Sequence, residues 1–290
     1  MVRALRLALA VLIIGLSGAG AAGASPPVWV VKSKTTTIVL FGSVHLLPPG
    51  LKWQPRKLSR ALGKANEVWF EIPIDAASNL AAAEAALKVG IQPPGQTLSA
   101  QLTPDDQAHL ARAAAACGLP VAGLDKLMPW YADVTLSVAS YRLAGAMLDD
   151  GVERQFAAQV PPTMPRRAFE TPEEQIGYLA SASADDQVAS LRETLNELDD
   201  GPASYQRLVK AWMSGDARAI QREAVAPMMA QAPGVYKSLV ADRNQRWVEV
   251  IDRRLKGDGE VVMVVGVGHL VGPEGLPALL RARGYKVEGP

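Results

Sequence analysis

Thr35-Thr36-Thr37-Ile38-Val39-Leu40-Phe41 runs directly into Gly42-Ser43-Val44-His45-Leu46-Leu47-Pro48-Pro49-Gly50. Near the other end of the chain, Val261-Val262-Met263-Val264-Val265 runs into Gly266-Val267-Gly268-His269-Leu270-Val271-Gly272-Pro273-Glu274-Gly275. Both apolar runs are rich in β-branched residues and short enough for buried strands. Each is followed by a glycine-softened turn carrying a histidine, so each predicts an imidazole just past a strand's carboxyl end. Ligands of open α/β sheets bind along that edge. The two turns hold two of the three histidines and predict a single site closed by the two ends of the chain.

Working outward, Val28 to Val31 and Thr35 to Phe41 form a predicted hairpin across Lys32-Ser33-Lys34. A short helix over Pro55 to Lys64 and a strand over Glu67 to Ile72, stopped by Pro73, then give strand, helix, strand, the signature of parallel pairing. Helices dominate from Ala76: one to Val89, ended by Gly90; one capped by Thr103 with Pro104 in its first turn; one over Pro129 to Leu148. Val121 to Leu124 reads as a short strand. Arg167 to Glu170 reads as another, followed by a capping box at Thr171 and Glu174. Further helices cover Asp186 to Leu198, Pro202 to Met213, Ala217 to Ala226, Val235 to Leu255 and Gly275 to Arg283, and Lys286 to Glu288 is an edge strand. The expected fold is α/β, with a mixed, mainly parallel central sheet flanked by helices and a large helical insertion over about residues 76–255.

Arg3 and Arg6, the apolar run Leu7 to Leu16 and the small residues to Ala22-Gly23-Ala24 have the layout of a secretory signal peptide cut after Ala24. The apolar run is short of the roughly 20 residues of a membrane span, so no stable membrane insertion is expected once residues 1–24 are removed. The expected location is periplasmic or secreted, and residues 25–290 form the expected domain. Loss of Arg3 and Arg6 takes the net charge from +1 to −1. Such a near-neutral chain without a Lys/Arg block has no footprint for nucleic acid. A single cysteine, Cys117, allows no internal disulfide and reads as a buried structural thiol. His109, among polar neighbours, reads as solvated.

The candidate chemistry centres on His45 and His269. Neutral imidazole is the usual zinc ligand and, with carboxylates, suits manganese or cobalt. Gly42 and Gly266, three residues ahead of each histidine, let backbone pass close to an ion or substrate. Glu71, at the carboxyl end of its strand, is the third member. Two histidines and a carboxylate make a minimal divalent-metal triad with open positions. Without metal, the same trio supplies a general base and an orienting acid. Arg243 falls in the apolar stripe of its helix with Leu239, Val240, Trp247, Val250 and Ile251, at about 100° per residue. A guanidinium there must snorkel or pair, and Glu71, Glu170 or an anionic substrate group would answer it. Asn244 beside it is placed to orient a neighbour, and Glu170 either faces the same cleft or favours a helix dipole. Ser43 lacks the flanking of a nucleophile elbow.

Together the twin Gly-x-x-His-Leu turns, the strand ending in Glu71, Glu170-Thr171-x-x-Glu174-Gln175, Trp212-x-x-Gly215-Asp216, Arg243-Asn244 and the closing Gly-His-Leu-x-Gly-Pro-x-Gly resemble the TraB/GumN family. That family is similar to the Tiki metalloproteases with their paired Gly-x-x-His motifs, and more remotely to erythromycin esterase-like and haem-binding ChaN-like proteins. The resemblance implies an α/β core with a helical insertion and a site of His45, Glu71 and His269, with Arg243 and Asn244 nearby. Gly151-Val152-Glu153 stands where relatives tend to carry Gly-hydrophobic-Asp. The resulting expectation is an exported, metal-dependent hydrolase acting on peptides or another small substrate. A non-catalytic binding protein for haem, a peptide signal or a polysaccharide fragment is the alternative.

Overall fold

The computed structural model describes residues 25–290, so the expected signal peptide lies outside the described residues. Six strands form one sheet: β1 (Val28–Lys32), β2 (Thr36–Ser43), β3 (Glu67–Phe70), β4 (Arg166–Ala168), β5 (Gly259–Gly266) and β6 (Lys286–Glu288), in the order β4-β3-β5-β2-β1-β6. The two apolar runs ending in histidine turns are neighbours. β2 and β5 pair in parallel from Thr36 opposite Gly259 to Ser43 opposite Gly266, so their carboxyl ends finish level. β3 lies on the far side of β5, also parallel, and β4 is parallel to β3. The hairpin partner β1 and the edge strand β6 add the antiparallel pairs.

Ile38, Leu40 and Phe41 of β2 and Val261 to Val265 of β5 are fully or nearly fully enclosed. That enclosure explains why the two strands are continuous apolar runs rather than alternating ones. They pack with Trp247, Val248, Ile251 and Leu255 of the helix Asp242–Leu255, with Leu58 of Arg56–Leu62 and with Leu276 and Leu280 of Leu276–Ala282. A second core, mainly helical, gathers Leu98, Leu110, Leu124, Leu136, Leu191 and Leu195.

Capping boxes start the helices Pro104–Ala116 and Pro172–Ala180, at Thr103 with Asp106 and at Thr171 with Glu174. Gly215 ends the helix Ala203–Ser214 in the left-handed conformation at φ 74°, which a glycine adopts without strain.

Three expectations need correction. Val121–Leu124 is one helical turn rather than a strand: its apolar run is only four residues long, and Leu124 is buried in the helical second core, away from the sheet. The helix from Pro129 stops at Leu143 rather than Leu148, because Gly145 takes φ 85° and breaks it. His109 is not simply solvated; its Nε2 lies 3.1 Å from Asp199 and its side chain is mostly covered. Cys117 is half-buried, and burial pushes its thiol pKa up. Among the described residues, no helix is long and apolar enough to cross a membrane.

Candidate functional site

Four adjacent parallel strands each deliver one side chain to the same edge. His45 lies just beyond β2, Glu71 directly follows β3, and His269 sits in the 3-10 turn Val267–Leu270 after β5. β4 pairing continues past its last residue through Glu170 N–H to the Glu71 carbonyl at 2.9 Å, which sets Glu170 beside Glu71. The helical rod Pro233–Leu255 supplies Arg243 and Asn244, and it contains one π-helical turn over Lys237–Ala241 just ahead of them. Such turns are rare and concentrate at functional sites.

Arg243 is buried at the centre of this arrangement. Nε and one terminal nitrogen donate to Glu170 at 2.9 and 2.8 Å, and that terminal nitrogen also donates to Glu71 at 2.6 Å. The other terminal nitrogen donates to the Leu239 carbonyl at 3.0 Å and meets His269 Nε2 at 3.1 Å. A guanidinium has five N–H groups, and every one has an acceptor here. Glu71 also accepts from the Gly266 amide at 2.6 Å and from the Gln175 side chain at 2.9 Å. Burial works to raise the Glu71 pKa, but Arg243, the two histidines and the Gly266 amide outweigh it and hold the carboxyl well below the usual range. Burial, with Glu71 nearby, raises the Glu170 pKa despite its bonds to Arg243 and to the Trp247 indole.

Asn244 fixes the His269 tautomer. Its amide nitrogen donates to the His269 and Glu274 carbonyls, at 3.2 and 2.7 Å. Its amide oxygen therefore faces Nδ1 at 2.7 Å, and only a protonated Nδ1 bonds to an oxygen there. Nε2 is then the lone pair that accepts from Arg243. Burial drives this imidazole's pKa down to about 3, so it is neutral.

His45 is the opposite case. Nδ1 lies 2.6 Å from Glu153, which also accepts from the Ser43 hydroxyl. A carboxylate has no proton to give in either bond, so Nδ1–H donates and Nε2 is left free. The Ser43 hydroxyl is engaged and buried, which removes it as a nucleophile. The negative charge of Glu153 raises the His45 pKa toward about 9. Because 61 % of the side-chain surface is exposed, water screens part of that effect. Glu153 was not among the residues singled out for chemistry. Its approach depends on Gly151: a Cβ there would lie 1.9 Å from the His45 carbonyl, and the Val152 amide bonds the Val44 carbonyl at 3.1 Å.

The two glycines ahead of the histidines differ. A Cβ on Gly266 would meet Glu71 Oε1 at 3.0 Å, His45 Nε2 at 3.7 Å and His269 Cδ2 at 3.7 Å. The three predicted residues thus converge around this one position. At Gly42 the space belongs to Val267, whose Cγ2 would lie 2.7 Å from a Cβ. The Gly42 carbonyl is taken by the Trp212 indole at 2.9 Å. The close approach that Gly42 permits is core packing between the two turns, not an approach to an ion or substrate. His45 also lines a cavity of about 550 Å³, whose other lining residues include Leu46, Asp133, Tyr141, Glu197, Tyr205, Met228 and Leu239. Burial and the charges of Glu193 and Asp133 push Glu197 up to about 7.

As arranged, His45, Glu71 and His269 do not fit a divalent ion. The His269 Nε2 lone pair and a Glu71 oxygen, both needed as ligands, are capped by Arg243, and a cation there would face the guanidinium's charge. Among the described residues, no group of three or more His, Cys, Asp or Glu side chains is placed to hold a metal ion.

A family model described as the TraB/PrgY/gumN family matches residues 27–289. The chain belongs to that family. No curated protein and no solved structure matches it. The TraB/PrgY/gumN match spans all six strands and every residue of the cluster, so the site and the family signature occupy the same stretch. Membership does not by itself bring a reaction, because chemistry resides in sites rather than folds.

Proposed function

We propose that the cleft at the carboxyl ends of β2, β5 and β3 is a hydrolytic site acting on a peptide or other small amide or ester. His45 is the general base in this reading. The observation that carries it is the Glu153–His45 pair, with Nδ1 held by a carboxylate and Nε2 left free at the wall of the cavity. In the neutral form of His45, which gains population as pH rises toward about 9, Nε2 takes a proton from the attacking water, Glu153 stabilises the imidazolium that results, and the imidazolium returns the proton to the leaving group. That division of labour is general for a carboxylate-backed histidine. Arg243 has no donor left for substrate, so it is a positioning residue that holds Glu71 and His269 in place. The metal-dependent form, with manganese, cobalt or zinc, requires Arg243 to release both groups, and the metal-independent form is the one adopted here.

The mature chain should cleave chromogenic esters or blocked peptides in chelator, and His45→Ala should abolish turnover. Unchanged turnover in a folded His45→Ala protein would remove the reading. A second reading, binding of haem, a peptide signal or a polysaccharide fragment without turnover, is favoured by the same free Nε2, since a backed imidazole facing a cavity also suits an axial haem ligand. A Soret shift on haem addition, lost in His45→Ala, would support it. We further infer export of residues 25–290 to the periplasm or beyond as one domain. In this reading the helical stretch 76–255, crossed once by β4, is an insertion. Cell fractionation tests the location.

A further inference from the structure

We propose that the cavity beside His45 is a substrate pocket for a cationic group, a primary ammonium carried on a hydrocarbon stem, held by Asp133 and Glu197. Its volume of about 550 Å³ lies within the roughly 300–1,000 Å³ of small-molecule sites. Asp133 comes from the helix Pro129–Leu143 and Glu197 from the helix Ala184–Asp199, and the two helices pack against each other. A tyrosine pair joins these carboxylates to the proposed base. Tyr205 donates its hydroxyl to the carbonyl of Leu46, the residue after His45, at 3.0 Å, and its ring centroid lies 4.9 Å from that of Tyr141. Tyr141 lines the cavity near both carboxylates, and its hydroxyl has no hydrogen-bond partner among the described residues.

The charges lining this space do not balance. Its two arginines are committed, Arg207 to Asp200 and Glu223, and Arg222 to Glu223. Asp133, Glu193 and Glu197 line it as well, and among the described residues none of the three has an ion-pair partner. Burial raises the pKa of Asp133 and of Glu197; Glu193 and Asp133 add to the rise at Glu197, and Arg207 offsets only part of it. A cation brought beside these carboxylates relieves that repulsion. Asp133 accepts from the Ser190 and Thr194 hydroxyls, each at 2.6 Å, which fixes the carboxylate and still leaves it lone pairs. The remaining walls suit an organic cation rather than a bare metal ion. Val134, Val138 and Leu239 offer contact to a hydrocarbon stem, and a tyrosine ring such as Tyr141 attracts an ammonium.

This inference rests on the hydrolytic reading, since it names a group the substrate carries, but its readout is binding, so the two fail separately. The mature chain is titrated by calorimetry with three p-nitroanilides: those of acetyl-lysine, of acetyl-norleucine, and of norleucine with its amino group free. The two acetylated probes share a stem and differ in charge. A cationic probe should bind about tenfold tighter than acetyl-norleucine. Preference for acetyl-lysine assigns the ammonium to a side chain, and preference for free norleucine assigns it to an amino terminus. Glu197→Gln and Asp133→Asn should each remove most of that preference and leave the affinity for acetyl-norleucine unchanged; Glu197→Gln decides alone if Asp133→Asn does not fold. Equal affinity for the three probes, no measurable binding of either cationic one, or a folded Glu197→Gln protein that keeps the full preference overturns the proposal. Release of p-nitroaniline in the same samples reports hydrolysis. Preference without release leaves the pocket standing and counts against hydrolysis, and release without preference does the reverse.

Discussion

The two Gly-x-x-His turns are near-copies in sequence and opposites in charge. His45 is largely exposed, backed by a carboxylate and held toward the protonated form, whereas His269 is buried, backed by an amide and held neutral. The strands that present them are paired in register, and His269 sits in a 3-10 turn whereas His45 lies in a bend. The cause is what distant chain brings alongside: Glu153 to the first, Asn244 and Arg243 to the second. A motif therefore positions an imidazole without deciding its protonation, and roles should be read from the partners rather than from the repeat.

The comparison breaks most readily at its buried half. Arg243→Met leaves Glu71 and Glu170 enclosed without their cation and should cost about 3–5 kcal/mol in urea unfolding. His269→Ala removes a buried ring and leaves an Arg243 N–H without its acceptor on one side and the Asn244 amide oxygen without its donor on the other, for about 3 kcal/mol. His45→Ala, at an exposed position, should cost about 1 kcal/mol. Equal urea midpoints for the two histidine variants would erase the contrast. Asn244→Asp tests the tautomer lock: the two amide-to-carbonyl bonds are lost, stability falls by about 1–3 kcal/mol, and the new negative charge draws the His269 pKa upward from about 3 in an NMR titration. Glu153→Gln acts on the other turn, bringing the His45 pKa down toward the ordinary 6.5 and moving the pH midpoint of hydrolysis lower with it.

The pH dependence of stability separates the turns further. His269 binds its proton less well in the folded chain, so its contribution is complete above pH 6.5 and is lost as pH falls from 6.5 toward about 3. His45 binds its proton better in the folded chain. Its contribution is complete below pH 6.5 and is lost as pH rises through about 9. The alkaline loss should be the smaller, because solvent screens the exposed His45 pair. Urea midpoints across pH would show both limbs, and an alkaline limb steeper than the acid one would reverse the assignment.

Much of this arrangement was legible in the residues. Unbroken β-branched runs identify β2 and β5 because both faces of those strands are covered, and the turns that follow need no tertiary information. Arg243 was readable because a cation inside an apolar helical stripe needs a partner; its pairing with both Glu71 and Glu170 required coordinates. Glu153 was hidden by distance along the chain. Its signals were the acidic residue closing Gly151-Val152-Glu153, where the family resemblance places Gly-hydrophobic-Asp, and Gly151 itself, whose close approach to the His45 carbonyl only coordinates reveal. Val121–Leu124 misled because four apolar residues satisfy strand and helix alike, and the proline before them opens a helical turn as readily as it ends a loop. Gly42 and Gly266 are identical on paper, and only their neighbours separate packing from convergence.

The π turn at Lys237–Ala241 makes the cluster a matter of angular phase. It lodges one surplus residue in the rod Pro233–Leu255, and Val235 and Tyr236 ahead of it and Arg243 and Trp247 behind it are all buried. Deleting a single residue there rewinds ordinary α-helix and rotates one half against the other by about 100°. Either the guanidinium or the leading half of the rod then faces the wrong way, so a shortening by one residue disarms the site while leaving every charged side chain in the chain.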